Sequence, residues 1–210
     1  MVKSFLLLIT FLLFNINMIA GDVKVGEKVP EFQLTDFYNN IYKLTDYKGK
    51  WIVLEWVNYD CPFVANRYKS GLMHELQKKY IEKGITWLSV AAAAKGEDGY
   101  YDQYTVYDKM RELNAMPSAY LLDTNKQVAK LLGITKTPQI AIINPDGVLV
   151  YIGAIDDSNS DSTEEFSGAT NYIDKVFDAL LNAKQKEVKD STNIFKPFAT
   201  EPFGCSIESK

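Results

Sequence analysis

The chain has 210 residues, a formal net charge of −4 and 47% hydrophobic content, the size and mix of one folded unit with a substantial core. Two cysteines and one histidine are too few for a zinc site of four cysteines, or of two cysteines and two histidines, or for a cysteine-ligated iron–sulfur cluster, so no metal and no cofactor are expected. The acidic balance has no dense basic tract, which argues against nucleic acid as a partner.

The first predicted element is a targeting segment. Lys3 is followed by an almost unbroken apolar run from Phe5 to Phe14 and a small-residue exit at Ala20-Gly21. That is the layout of a secretory signal peptide over residues 1–21. The run is short for a membrane span, and no stable membrane association is expected after cleavage. About 190 residues remain, in a secreted or periplasmic, disulfide-permissive compartment.

Short extended pieces are expected at 31–34 and 41–44, with a turn at 46–50. The apolar stretch Trp51 to Val57 predicts a central strand covered on both faces. After the loop Asn58-Tyr59-Asp60, Pro62 suits the first turn of a helix. Val64, Tyr68, Leu72, Leu76 and Tyr80 then recur every four residues and predict one helix face that ends at Gly84. A second buried strand is expected over 85–91, a helix over 103–113, a short strand over 119–122 and a short helix over 126–132 closed by Gly133. The run 139–143, the turn Asn144-Pro145-Asp146-Gly147 and the run 148–152 predict an antiparallel hairpin. Ile173, Val176, Phe177, Leu180 and Leu181 mark a last amphipathic helix. The order β-α-β-α-β-α-β-β-α predicts an α/β, thioredoxin-like fold, a central mixed sheet flanked by helices. It has an extended N-terminal extension and an irregular C-terminal tail. The boundaries are one folded domain over 22–190 and a tail over 191–210 carrying Cys205.

Several motifs occur in a telling order. They are Phe32-Gln-Leu-Thr-Asp36, Asn58-Tyr-Asp-Cys-Pro-Phe-Val64, Gln127 to Ile134 running into Thr137-Pro138, Asn144-Pro-Asp-Gly147 with Tyr151 to Asp157, and the tail Phe203-Gly-Cys-Ser-Ile207. Over about residues 25–207 the chain resembles the redoxin (AhpC/TSA-type) group of thioredoxin-fold proteins. Within that group it is most similar to the peroxiredoxin-like branch, whose members often end in Gly-Cys-Ser-Ile. The resemblance implies an oxidoreductase. Its substrate would be a peroxide or a protein or small-molecule disulfide, and an external thiol reductant would recycle it. It also implies a cis peptide at Thr137-Pro138 beside the cysteine, with the Thr137 backbone facing an extended substrate or the sulfur.

Cys61 falls at the strand-to-helix junction, where the N–H groups of Phe63 and Val64 and the helix dipole would favour thiolate over thiol. Asp60 opposes that. Cys61 is thus the candidate nucleophile. There is no local Cys-x-x-Cys, because the second position is Val64. Leu54 and Asn58 stand where peroxiredoxins carry Pro and Thr, and Asn58 offers a side-chain amide instead. Arg67 and Arg111, the chain's two arginines, are expected on the solvated surface. Asp156 and Asp157 are expected in loop or capping roles. His74, about 20 Å along the predicted helix, is too far to serve as a base. Glu55 sits in an apolar strand, either as a proton-transfer group or at a polar edge.

Cys205, on a Pro/Gly-containing tail, is the one other cysteine. It is a candidate resolving thiol for an oxidised Cys61. Two alternatives stand beside that reading. One is a static bridge, which in the entropy model would stabilise a loop of this length by roughly 5 kcal/mol. It would make the chain a secreted, non-catalytic thioredoxin-fold binding or scaffold protein. The other is pairing between subunits.

Overall fold

The computed structural model describes residues 23–162, 166, 168–185 and 195–208. The predicted signal peptide lies outside them. The described chain enters through a hairpin of β1 (Gln33–Thr35) and β2 (Ile41–Lys43). Asp36 holds its turn by accepting from the Tyr38 and Asn40 backbone N–H groups. Then come β3 (Ile52–Trp56), α1 (Pro62–Lys69), α2 (Leu72–Ile81), β4 (Thr86–Ala91), α3 (Gln103–Glu112), β5 (Ala119–Leu122) and α4 (Gln127–Leu132). They are followed by β6 (Lys136–Thr137), β7 (Gln139–Ile143), β8 (Leu149–Gly153), α5 (Tyr172–Gln185), β9 (Phe198–Ala199) and β10 (Cys205–Ser206).

Eight strands form one sheet in the order β2-β1-β5-β4-β3-β7-β8-β9. β3, β4 and β5 run parallel through helical crossovers, and β7–β8 is an antiparallel hairpin beside β3. This is the mixed thioredoxin-like sheet that the order of elements predicts. β3 is central and fully buried, so its side chains alternate between two cores. Val53 and Val57 pack with Val64 and Tyr68 of α1, Leu76 and Tyr80 of α2, Val106 of α3, and Val176 and Phe177 of α5. Leu54 and Trp56 pack on the other face with Val128 and Leu132 of α4 and with Val29 and Phe32. Each such large apolar side chain contributes roughly 1.5–3 kcal/mol by leaving water.

Two expectations change. The single helix predicted from Pro62 to Gly84 is two helices. Gly71, at φ +84°, takes a left-handed conformation that glycine adopts without a Cβ clash and that a continuous helix does not contain. The four-residue stripe survives the break because both helices pack on one core. Val64, Tyr68, Leu76 and Tyr80 are buried. The tail also has more order than its composition suggests. Between irregular stretches, β9 adds in parallel to β8, and β10 pairs antiparallel with β6 in a separate two-stranded ladder. Among the described residues, no helix is long and apolar enough to cross a membrane.

Candidate redox site

The site begins where β3 leaves the sheet. Asn58 turns the chain: its carbonyl accepts from Cys61 N–H at 3.0 Å, and its side-chain Oδ1 accepts from Asp60 N–H and from the Tyr101 hydroxyl at 3.0 and 2.7 Å. Cys61 is the N-cap residue of α1, and Pro62 opens the helix at a position where no N–H is needed. The Val64 N–H, expected to face the sulfur, donates instead to the Cys61 carbonyl at 2.9 Å. Proline has no N–H, so Phe63 has the one N–H among the first three helical positions that is left for the sulfur. Asn58, expected to donate to the sulfur, takes part in these bonds as an acceptor. Asp60 is ion-paired with Lys109, which offsets the charge that would oppose a thiolate next door.

Cys61 and Cys205 form a disulfide, with Cα atoms 6.0 Å apart and a sequence separation of 144. Cys61 is 1% exposed, and Cys205 is partly exposed. Thr137 and Pro138 flank the bond. The peptide between them is cis, and the Thr137 carbonyl oxygen lies 3.3 Å from Cys61 Sγ. A disulfide sulfur has no proton to donate, so in this state the approach is a contact. After reduction the same geometry suits an S–H donor. The Thr137 hydroxyl is buried without a hydrogen-bond partner. Beside it, a cleft lined by Asn58, Gly99, Thr137, Ser206 and Ile207 encloses about 20 Å³, room for about one water. The tail fills the site.

Three grips hold the tail. Cys205 and Ser206 pair with Thr137 and Lys136, and Ile207 N–H donates to the Thr135 carbonyl at 3.1 Å. Gly204, at φ +112°, lies so close that a Cβ there would overlap the Thr137 carbonyl oxygen. The Phe203 ring sits 4.8 Å from the Arg67 guanidinium carbon and 6.0 Å from the Phe63 ring.

Arg67 corrects the surface expectation. It is 0% exposed and forms a two-pronged ion pair with Asp156, itself 1% exposed: Nε and Nη2 each stand 2.8 Å from a carboxylate oxygen. Its other N–H groups reach the carbonyls of Phe63, Ser160 and Ser158 at 3.0, 3.1 and 2.6 Å. Phe166 and Phe203 contribute two ring contacts to the guanidinium. The pair ties α1, the 156–160 loop and the tail together. Asp156 is thus a buried counter-ion, while Asp157 accepts from Thr170 N–H in a loop role. Arg111 is exposed and pairs with Asp108. His74, half-buried on α2, sits 3.0 Å from the Asn114 carbonyl, apart from the disulfide.

Glu55 is 0% exposed on the same face of β3 as Val53 and Val57. Its carboxylate accepts from Tyr68 Oη at 2.9 and 3.0 Å, Trp87 Nε1 at 2.8 Å, Gln77 Nε2 at 3.2 Å and Ser89 Oγ at 3.3 Å. Burial pushes its pKa up to about 7, although these donors pull the other way. Nothing in the sequence marks the rings of Phe63 and Phe203, or Gly204, as parts of the site, apart from the Phe-Gly-Cys order itself, which says nothing about what the phenyl ring meets.

Known proteins resemble this arrangement. The chain is 28% identical over 137 residues to the selenocysteine-containing peroxiredoxin PrxU of Peptoclostridium acidaminophilum, covering 60% of this chain and 66%, just under two thirds, of that protein. It is 27% identical over 130 residues to the thiol-disulfide oxidoreductase ResA of Geobacillus thermodenitrificans, covering 56% of this chain and 74% of that one. Both relatives are oxidoreductases by name. A crystal structure of an uncharacterized conserved protein from Geobacillus kaustophilus matches with a TM-score of 0.63 at 25% identity, over 89% of this chain and 93% of that one. The AhpC/TSA family model matches residues 25–152. That span holds Glu55 on β3, Cys61 at the strand–helix junction and Thr137-Pro138 beside it, while Asp156 and the Cys205 tail lie beyond it. With more than half its length under the model, the chain belongs to the AhpC/TSA family.

Proposed function

We propose that the chain is an exported thiol–disulfide oxidoreductase in which Cys61 is the nucleophile and Cys205 its resolving partner. The observation that carries this reading is the bond between them: the two cysteines meet at the N-terminus of α1, where a thiolate is favoured. The Cys61 thiolate attacks a substrate disulfide, forms a mixed disulfide and expels one substrate thiolate. The Cys205 thiolate then attacks Cys61 Sγ and releases the second. The substrate is reduced to two thiols, and the protein dithiol is oxidised to Cys61–Cys205. An external thiol restores the dithiol. Disulfide exchange is favoured over peroxide reduction because the Arg67 guanidinium, on the helix that Cys61 caps, is engaged by Asp156 and three carbonyls. Export belongs to the same reading, supported by the Lys3–Gly21 signal-peptide pattern.

The test uses reduced protein mixed with a small aromatic disulfide or with hydrogen peroxide. Rapid closure of Cys61–Cys205 by the disulfide is expected. Cys61→Ser should slow it at least about a hundredfold, and peroxide should act far more slowly. The buried Cys61 sulfur favours a second reading, a static staple. A bridge that resists dithiothreitol until the protein is denatured would establish the staple and end the catalytic reading.

The unequal exposure of the two cysteines also sets the direction of recycling. An incoming thiolate reaches Cys205, the more exposed residue, and Cys61, the thiol at the helix N-terminus, departs as the better leaving group. Glutathione followed by rapid acid quench should therefore leave its adduct on Cys205. Adducts mapped mainly to Cys61 would contradict this order.

A further inference from the structure

The tail is docked in the manner of a bound peptide, and its docking has sequence requirements. It pairs by main chain with Lys136 and Thr137, which is sequence-tolerant. Two side-chain positions are not tolerant. The position before the cysteine touches the Thr137 carbonyl and takes a conformation L side chains rarely adopt, so only glycine fits. The position two before the cysteine places an aromatic ring against the Arg67 guanidinium and Phe63, a cation–π and aromatic subsite. Arg67 is locked there by Asp156 and three carbonyls, so the subsite is rigid. While the tail is seated, Cys205 and Ser206 occupy the main-chain edge of Lys136 and Thr137 that a second peptide would use.

From this geometry we propose that the tail is the cis occupant of a selective peptide site. After reduction, that site accepts in trans an extended protein segment with an aromatic residue two places before its cysteine and a glycine one place before it. Phe63 and Arg67 act as specificity-determining residues. This rests on Cys61 being a nucleophile, as proposed above. The trans step is the first exchange of that cycle. Cys61 thiolate attacks the segment's cysteine sulfur, which is held in a disulfide. The Cys61–segment bond forms, the old S–S bond breaks, and its other sulfur leaves as a thiolate with the electron pair.

The probes are hexapeptides of the tail's own sequence, Pro-Phe-Gly-Cys-Ser-Ile, with the cysteine carried as its mixed disulfide with thionitrobenzoate. Companion peptides replace Phe or Gly by Ala. The full chain is used in two forms. In Cys205→Ser the tail stays seated and competes. In Gly204→Val/Cys205→Ser the added side chain unseats it. Release of thionitrobenzoate is followed, and mass spectrometry identifies the Cys61–peptide adduct. In the opened form the parent peptide should react at least about tenfold faster than either companion. In the seated form it should react about tenfold slower than in the opened one, with the same order of preference. Three peptides reacting within about twofold of one another in both forms, while free dithionitrobenzoate reacts well, would overturn the peptide specificity and leave the thiol chemistry standing. A Cys61 inert to dithionitrobenzoate as well would overturn both. If the double variant does not fold, the ranking in Cys205→Ser decides alone.

Discussion

Arg67→Ala is expected to cost about 3–5 kcal/mol of stability, a large part of the roughly 5–15 kcal/mol that holds a domain together. The reason lies in what is left behind. Asp156, 1% exposed, would keep a carboxylate whose one ion-pair partner has been removed, and a buried charge without a partner is far more costly than the pair is beneficial. The carbonyls of Phe63, Ser158 and Ser160 would each lose a side-chain donor at the same time. Urea denaturation followed by circular dichroism measures the loss. Asp156→Ala should show a similar deficit. The double replacement Arg67→Met/Asp156→Leu should recover much of it, because removing both charges also removes their desolvation cost. A single-variant loss below about 1 kcal/mol, the range of an exposed pair, would contradict this account. The variant has a second consequence at the site. Phe203 stacks on this guanidinium, so Arg67→Ala should also loosen the tail and make Cys61–Cys205 easier to reduce.

Arg67 also marks the limit of what was legible in the sequence. The order of strands and helices could be read because hydrophobic periodicity is local: β3, β7, β8 and the Tyr68–Tyr80 stripe follow directly from it. Cys61 could be placed at a helix N-terminus because Pro62 follows it and an apolar run precedes it. The fate of Arg67 depends on Asp156, 89 positions away, and no periodicity carries that distance. The helical wheel points Arg67 away from Cys61, but only the 156–160 loop folding over it turns that face from surface to interior. Gly71 was a local signal that the strong stripe concealed. The tail is a similar case. Pro202 and Gly204 read as irregular chain, and Gly204 is indeed in a glycine-only conformation. Its purpose, close approach to Thr137, becomes visible only once β10 lies beside β6. Cys205 can be nominated from the sequence as the one other cysteine, but a catalytic, a static and an intersubunit bond read alike there.

Glu55 supplies the second large effect, a stability that falls as pH rises from about 5 to about 8. The sign follows from proton binding. In the unfolded chain Glu55 titrates near 4.5, while in the fold its pKa is about 7. Between those values the folded state holds a proton that the unfolded state has lost, so raising the pH favours unfolding. The contribution is fully present below about pH 4.5 and is lost as the pH passes through about 7. Its size is on the order of 3 kcal/mol. Glu55→Gln isolates it, since the amide resembles the protonated acid. Its oxygen can accept from Trp87 and Gln77, while its NH2 donates toward the Tyr68 hydroxyl, which can reverse its role. Denaturation midpoints across this range should slope downward for the parent chain and stay nearly flat for Glu55→Gln, with the two meeting at the acid end. Equal slopes in both proteins would assign the titration to another group. The same carboxyl sits on β3 six positions before Cys61, bound to Tyr68 of the helix that Cys61 caps. Its ionisation therefore changes the charge on a hydrogen bond to α1, the element that presents the sulfur. A pH profile of Cys61 reactivity in Cys205→Ser and Glu55→Gln/Cys205→Ser extends the test from stability to chemistry. An inflection near pH 7 that vanishes with the glutamine would tie the buried acid to the thiol.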